Sequence, residues 1–214
     1  MLLHWYGHAC FLLSTADTTI MTDPFNEKVG YRLPEDRPDY ITVSHDHYDH
    51  SSVGLVHGTP LVKRISVQEQ LGDFLVYGIE SHHDTEGGTK RGKNTIFVFE
   101  HEGVRLAHLG DLGHTLSPEQ LEALGRVDVL LIPVGGVYTI DAKAACQVIK
   151  QVAPRLIVPM HYKTRDLSIA LGEVQEFCDA FSNAVFSGQC TLNLTSATLP
   201  SQQEVVVMEY CNKA

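Results

Sequence analysis

Short apolar runs, rich in β-branched and aromatic residues and punctuated by turn formers, constrain this chain more than any other feature. "LLHWY", "CFLLS", "TTIMT", "YITVS", "TPLVKRI", "FLVYGIE", "NTIFVFE" and "VRLAHLG" crowd the first half of the 214-residue sequence, and each reads as a strand. "FEHEGVRL" reads as a hairpin with "EHEG" at its turn. In the second half, strand and helix alternate. "SPEQLEALG" carries Ser117 as N-cap, Pro118 at the first helical position, Gln120 at the capping-box position and Gly125 as a stop. "VDVLLIPV" predicts a buried strand, "DAKAACQVIKQVA" a helix ended by Pro154, and "RLIVPM" another strand. "GEVQEFCDAFS" predicts a third helix and "EVVVMEY" a closing strand. A strand-rich start followed by β-α-β-α predicts a layered α/β (α+β) fold with a mixed sheet or two packed sheets. No low-complexity linker and no long-period repeat interrupts the pattern, so residues 1–214 are expected to form a single domain.

The ends of these runs carry the chemistry. Asp23 follows "TTIMT", His45 follows "YITVS", Asp111 follows "RLAHLG", His161 follows "RLIVPM", and His82 and His83 follow "FLVYGIES". A solvated acidic loop explains one such coincidence, not five. Strand ends that share a sheet edge can converge on one site. The densest stretch, "ITVSHDHYDHSS", packs His45, His47, Asp49 and His50 behind one strand. Imidazoles mixed with carboxylates suit Zn, Mn, Fe or Ni better than Mg or Ca. The candidates also outnumber the three protein ligands of a single catalytic zinc, which points to two metals.

Composition narrows the function classes. The formal net charge is −10, which disfavours nonspecific contact with phosphate backbones and makes a nucleic-acid partner unexpected. The cysteines Cys10, Cys146, Cys178, Cys190 and Cys211 form no CxxC pair, so a reducing, cytoplasmic setting is expected rather than a disulfide framework. "MLLHWYGHACFLL" lacks a basic leader segment and places His4 and His8 inside its apolar run, so it reads as strands rather than a signal peptide. No apolar run is long enough for a membrane helix.

His45-Asp46-His47-Tyr48-Asp49-His50 reads HxHxDH, and "GHACF", "TDPF", "GDLGH" and "PMHY" stand around it in order. On these motifs the chain resembles the metallo-β-lactamase superfamily over nearly its whole length. It looks closest to the small single-domain branch that includes ascorbate-phosphate lactonase-like hydrolases. The resemblance implies a four-layer αββα sandwich and two divalent metal ions, zinc first, with Mn, Ni or Fe as alternatives. It implies one metal on His45, His47 and a further histidine, a second on Asp49, His50 and His161, and Asp111 bridging both. Asp49 and Asp111 are the implied catalytic carboxylates, and Asp23 the buttress of the site. For the further histidine, His82 and His83 both stand in "ESHHD". The family's "HD…G…GKN" pattern aligns with His83-Asp84 ahead of Gly87 and "RGKN", which favours His83. Asp46 and Tyr48 are expected to be spacers pointing away from the metals.

Around this centre, His8, His82 and His114 are candidate pocket residues, while His4, His57, His101 and His108 are expected to be structural. "DTEGGTKRGKN" sets Lys90, Arg91 and Lys93 in a glycine-rich loop, expected as a mobile flap that receives an anionic substrate group, with Lys163 opposite. Tyr138, beyond the Gly135-Gly136 turn, is a further pocket candidate. The expected function is a metal-dependent hydrolase acting on an ester, lactone, phosphodiester or amide in a small molecule. An iron-dependent redox enzyme on the same fold, similar to a sulfur dioxygenase, is the main alternative, and a nonenzymatic structural metal site is disfavoured by the lack of cysteine ligands. Self-association is left open.

Overall fold

Two sheets absorb almost all of the strand-like runs. The computed structural model describes residues 1–64 and 67–211, and among them fourteen strands divide into a six-stranded and an eight-stranded sheet. The first begins as a meander. β1 (Leu2–Gly7), β2 (Cys10–Ser14) and β3 (Thr19–Thr22) pair antiparallel in turn, and β4 (Tyr40–Thr42) and β5 (Leu61–Lys63) add on in parallel. The second sheet takes β6 (Glu69–Leu71), β7 (Phe74–His82), β8 (Lys93–His101) and β9 (Val104–His108) antiparallel. Beyond β9 it becomes parallel through β10 (Val129–Pro133) and β11 (Leu156–Met160) to β14 (Glu204–Val207), with β12 (Ala184–Phe186) at the edge. β13 (Thr191–Asn193) returns to β1 and closes the other edge of the first sheet.

Burial explains the run compositions. β10 and β11 lie inside a parallel sheet, are buried at every residue, and read as unbroken apolar segments. β7, covered on one face only, alternates buried and half-buried positions. The β8–β9 hairpin turns on Glu102 and Gly103, both left-handed, so its loop is only the last two residues of "EHEG". The strand expected over "TPLVKRI" is formed at Leu61–Lys63, and its Ile65 lies outside the described residues.

Among the described residues the three α-helices all fall in the second half. α1 (Pro118–Leu124) begins with a complete capping box between Ser117 and Gln120. α2 (Ala142–Val152) is capped by Asp141 and links parallel β10 to β11. It ends at left-handed Ala153 because Pro154 cannot continue it. α3 (Val174–Cys178) is much shorter than "GEVQEFCDAFS" suggests, and Glu173 makes no side-chain cap bond at its start. Among the described residues no helix is long and apolar enough to cross a membrane. The buried apolar side chains of both sheets join in one cluster, from Leu3 and Phe11 through Phe97 and Phe99 to Leu131 and Val158. With its interior filled this way, the sandwich carries its polar residues at the strand ends.

Candidate metal centre

Backbone strain marks where those ends meet. Among the described non-glycine residues, six adopt positive φ. Glu102 belongs to the hairpin turn and Ala153 to the end of α2. The other four, His8 (φ 52°), Asp23 (40°), Val137 (60°) and His161 (52°), lie on or beside the expected site. L-residues pay for such conformations, and structures retain them where a side chain must be aimed. His8 stands at the tip of the β1–β2 turn, Asp23 just after β3, and His161 just after β11. The His161 N–H donates to the His8 carbonyl at 3.2 Å, tying the two sheets together at this edge.

Asp111 is the hub. Its carboxylate lies 3.0 Å from His83 Nε2, 3.2 Å from His161 Nε2, 3.2 Å from His50 Nε2 and 3.8 Å from His45 Nε2. Gly110 before it is left-handed, and a β-carbon there would stand 2.4 Å from Asn94 Oδ1 and 2.7 Å from Ser44 Cβ. Asn94 is buried and fully used: its Oδ1 accepts from Asp111 N–H (2.9 Å), and its amide donates to Ser81 Oγ and the Leu109 carbonyl. His45 Nε2 and His47 Nδ1 lie 3.0 Å apart, and both rings pack against His83. Side chains able to hold a cation fall into overlapping groups: His45, His47 and His83; His8, Asp49, His50 and His161; and Asp23, His45 and His50.

An outer layer of bonds decides which imidazole nitrogen faces the centre. Asp23 Oδ2 accepts from His50 Nδ1–H at 2.9 Å, which turns His50 Nε2 inward. Asp23 also accepts from Ser44 N–H and Oγ–H, so Ser44 Oγ is left to accept from His45 Nδ1–H at 2.9 Å. One buried carboxylate and one hydroxyl thereby orient two rings. Burial opposes the charge on Asp23, but the bond from His50 and the nearby His50, His108 and His45 outweigh it and hold its pKa below the usual range. Burial likewise opposes ionisation of Asp111, and His161 and His50 overcome it, holding Asp111 well below the usual carboxylate range. Burial and His50 push His45 down to about 3, and burial and His161 push His8 down to about 4. The centre therefore offers a fixed anion with neutral His45 and His8 beside it, while Asp111 and Asp23 favour a proton on His50 that a bound metal would displace. Buried Asp111 Oδ1 and His50 Nε2 make no hydrogen bond, so cation coordination would give both atoms a partner.

The remaining candidates divide. The structure brings His83, not His82, to Asp111; His82 is half-buried, and its backbone N–H donates to His114 Nε2 at 3.2 Å. His8 Nε2 meets Asp49 Oδ2 at 3.1 Å, and its ring packs against His161 at a tilt, with centroids 4.1 Å apart. Lys93 faces Glu80 across the β7–β8 pair at 2.6 Å, and Lys163 Nζ is bound to the Leu167 carbonyl, so neither lines the opening above Asp111. The loop expected as a flap is pinned instead. Asp84 accepts from the backbone N–H groups of Glu86, Gly88, Lys90 and Arg91 at 2.8–3.0 Å. Desolvation opposes its charge, yet those donors hold its pKa far below the usual value. A cavity of about 510 Å³ opens over the centre, lined by His47, Asp49, His83, Asp111 and His161 and, around them, by Asp46, Tyr48, Lys90, Arg91, Tyr138 and Ile169. Tyr48, expected to point away as a spacer, thus stands at the mouth. It follows from a loop that curls back after His47, and alternation along a strand does not apply there. Ser44 and Asn94 escaped the sequence reading as well, though a hydroxyl directly before the first histidine was a visible signal.

Comparison with known proteins agrees with this geometry. A family model for the β-lactamase superfamily domain matches residues 2–161. The chain belongs to that superfamily. Within it, a UPF0173 protein of Pyrococcus furiosus is 36% identical over 189 residues, covering 77% of this chain and 84% of the relative. A UPF0173 metal-dependent hydrolase of Thermoplasma acidophilum is 32% identical over 189 residues, covering 76% and 84%. A Thermotoga maritima structure, assigned to the Zn-dependent hydrolases of the metallo-β-lactamase superfamily, superposes with a TM-score of 0.81 at 39% identity and covers 97% of each chain. The two-sheet architecture is therefore the metallo-β-lactamase fold, and the HxHxDH histidines occupy its sheet edge.

Proposed function

We propose that this superfamily member is a metal-dependent hydrolase whose two divalent cations share Asp111. His45, His47 and His83 would hold one cation, and Asp49, His50 and His161 the other. The observation that carries the reading is Asp111 itself: a buried carboxylate within 3.0–3.2 Å of imidazole nitrogens from both groups. When bound, such a pair supplies a hydroxide at neutral pH and an electrophile for the developing oxyanion. The chain's own residues do the rest. Asp23 and Ser44 lock the inward tautomers of His50 and His45. Asp49 lines the cavity with its side chain 14% exposed, against 2% for Asp111, which makes Asp49 the carboxylate more open to an entering substrate and its proton. His8 holds Asp49 Oδ2 by donating from Nε2. The cavity suits a small ester, lactone, phosphodiester or amide.

The test is metal analysis of protein loaded separately with Zn, Mn, Ni and Fe(II), followed by a hydrolysis panel over those bond types. About two metal ions per chain and metal-dependent turnover are expected. Oxygen consumption by the Fe(II) form without any hydrolysis would replace this reading with the redox alternative.

A further inference from the structure

Arg91 is built into the mouth in a way that an ordinary surface arginine is not. Its backbone N–H is held by Asp84 at 2.8 Å. Its guanidinium lies over the Tyr138 ring, 5.6 Å from the centroid, and donates from Nη2 to the Val137 carbonyl at 3.1 Å. Val137 is the β-branched residue with left-handed φ, so the loop carrying this carbonyl is itself held in a costly conformation. Of the loop's other cations, Lys90 also lines the cavity but pairs with Glu86 at the surface, and Lys93 pairs with Glu80. Among the described residues, Arg91 has no carboxylate partner. In a chain of net charge −10, that leaves an oriented guanidinium edge over the cavity.

The surroundings are flat and apolar. Tyr48, 58% exposed, and Tyr138, 42% exposed, line the same opening, with Ile169 beside them. Arg91 also borders a second cavity of about 380 Å³ behind His47, where Arg64 is neutralised by Asp46 at 2.7 Å. Its stacking on Tyr138 and its bond to Val137 turn the guanidinium toward the mouth over Asp111.

Building on the hydrolase reading, we infer that Arg91 is the anion receptor of the site, and that the substrate is a flat, unsaturated or aromatic molecule. The molecule carries a carboxylate or phosphate at the end away from the bond to be cleaved. A guanidinium already bonded to Val137 and stacked on Tyr138 loses less freedom when it takes an oxyanion in two parallel N–H···O bonds, and the tyrosine faces add contact without demanding a particular ring. The scissile group then falls toward Asp49 and Asp111.

Monomethyl terephthalate and dimethyl terephthalate separate these elements, because they share ring and ester and differ in the distant carboxylate. Metal-loaded wild type should prefer the charged ester. Arg91→Gln should cut kcat/KM for it about 10- to 100-fold through KM, with kcat and the neutral ester little changed, matching a charge-assisted hydrogen bond. Arg91→Lys should recover part of the loss. Phenylphosphonate and benzoate as inhibitors distinguish phosphate from carboxylate recognition by which one loses more affinity in Arg91→Gln. Equal losses for both esters, or none, would overturn the inference and leave the hydrolase reading standing. Calorimetric binding of monomethyl terephthalate that depends on Arg91, with neither ester turned over, would do the reverse. Failure of wild type to bind the charged ester more tightly than the neutral one also overturns it.

Discussion

The floor of the site and its mouth are built by opposite means. Floor residues stand at strand ends and are held by buried bonds: Asp23 to His50, Ser44 to His45, Asn94 to the backbone of Asp111. Mouth residues stand on loops, and their polar contacts are to backbone groups, as with Asp84 and Arg91. The contrast teaches that the floor sets reaction type, where an ångström matters, whereas the mouth sets what is admitted. Substitutions in the floor should therefore remove metal and turnover, and substitutions in the mouth should change KM.

Asp111→Asn is the largest expected effect. Losing the shared anion should release bound metal and abolish turnover, read by metal content and kinetics, with circular dichroism confirming the fold. Retention of two ions and full activity would break the assignment of Asp111 as hub. Asp23→Ala should be milder, lowering metal affinity about 10- to 100-fold, as loss of an orienting outer partner does, and measurable by chelator competition. If kcat falls while affinity is unchanged, Asp23 acts on the reaction and not on the floor.

Acid provides the third test, on metal-free protein. The His8 and His45 pKa values fall to about 4 and about 3 in the folded chain, against about 6.5 unfolded. The unfolded state thus binds more protons below about pH 6.5, so the stability from these groups is present above that pH and is lost as pH falls toward 4. His50 works the other way: burial opposes its protonation, but Asp111 and Asp23 raise it well above 6.5. Its contribution is complete below 6.5 and lost only as pH rises, so it does not mask the acid limb. The melting temperature should fall steadily between about pH 6.5 and 4, and a flat profile would contradict the buried neutral imidazoles. The smallest effect belongs to the mouth. Tyr138→Leu should raise KM a few-fold through the lost arginine stack, worth about 0.5–1 kcal/mol at an exposed site, and leave kcat unchanged. A fall in kcat instead would place Tyr138 in the chemistry.

Legibility in the sequence follows the range of the physics involved. The capping box at Ser117 and Gln120, the stop at Pro154 and the apolar β10 and β11 are local, and all were readable. β6, β12 and β13 were not. Each is three residues long, and β13 is a strand only because residues 191–193 find β1, at the other end of the chain. The helix over "GEVQEFCDAFS" was overstated because its apolar spacing could not reveal the missing cap. Among the pocket residues, Lys93 and Lys163 looked available as charges, and their partners Glu80 and the Leu167 carbonyl were invisible without the fold.

The sequence by itself determined the alternation of strands and helices, the ligand chemistry of HxHxDH and the placement of Asp23, Asp111 and His161 at strand ends. These depend on residue type and on spacing within one element. Tertiary structure alone decided that Ser44 links Asp23 to His45, that His8 from the β1–β2 turn reaches Asp49 in the loop after β4, and that the His83 favoured by its motif does meet Asp111. It also decided that Arg91 is left without an acidic partner above the cavity. Those outcomes depend on distances between segments far apart in the chain, which packing of the two sheets sets and local propensity does not encode.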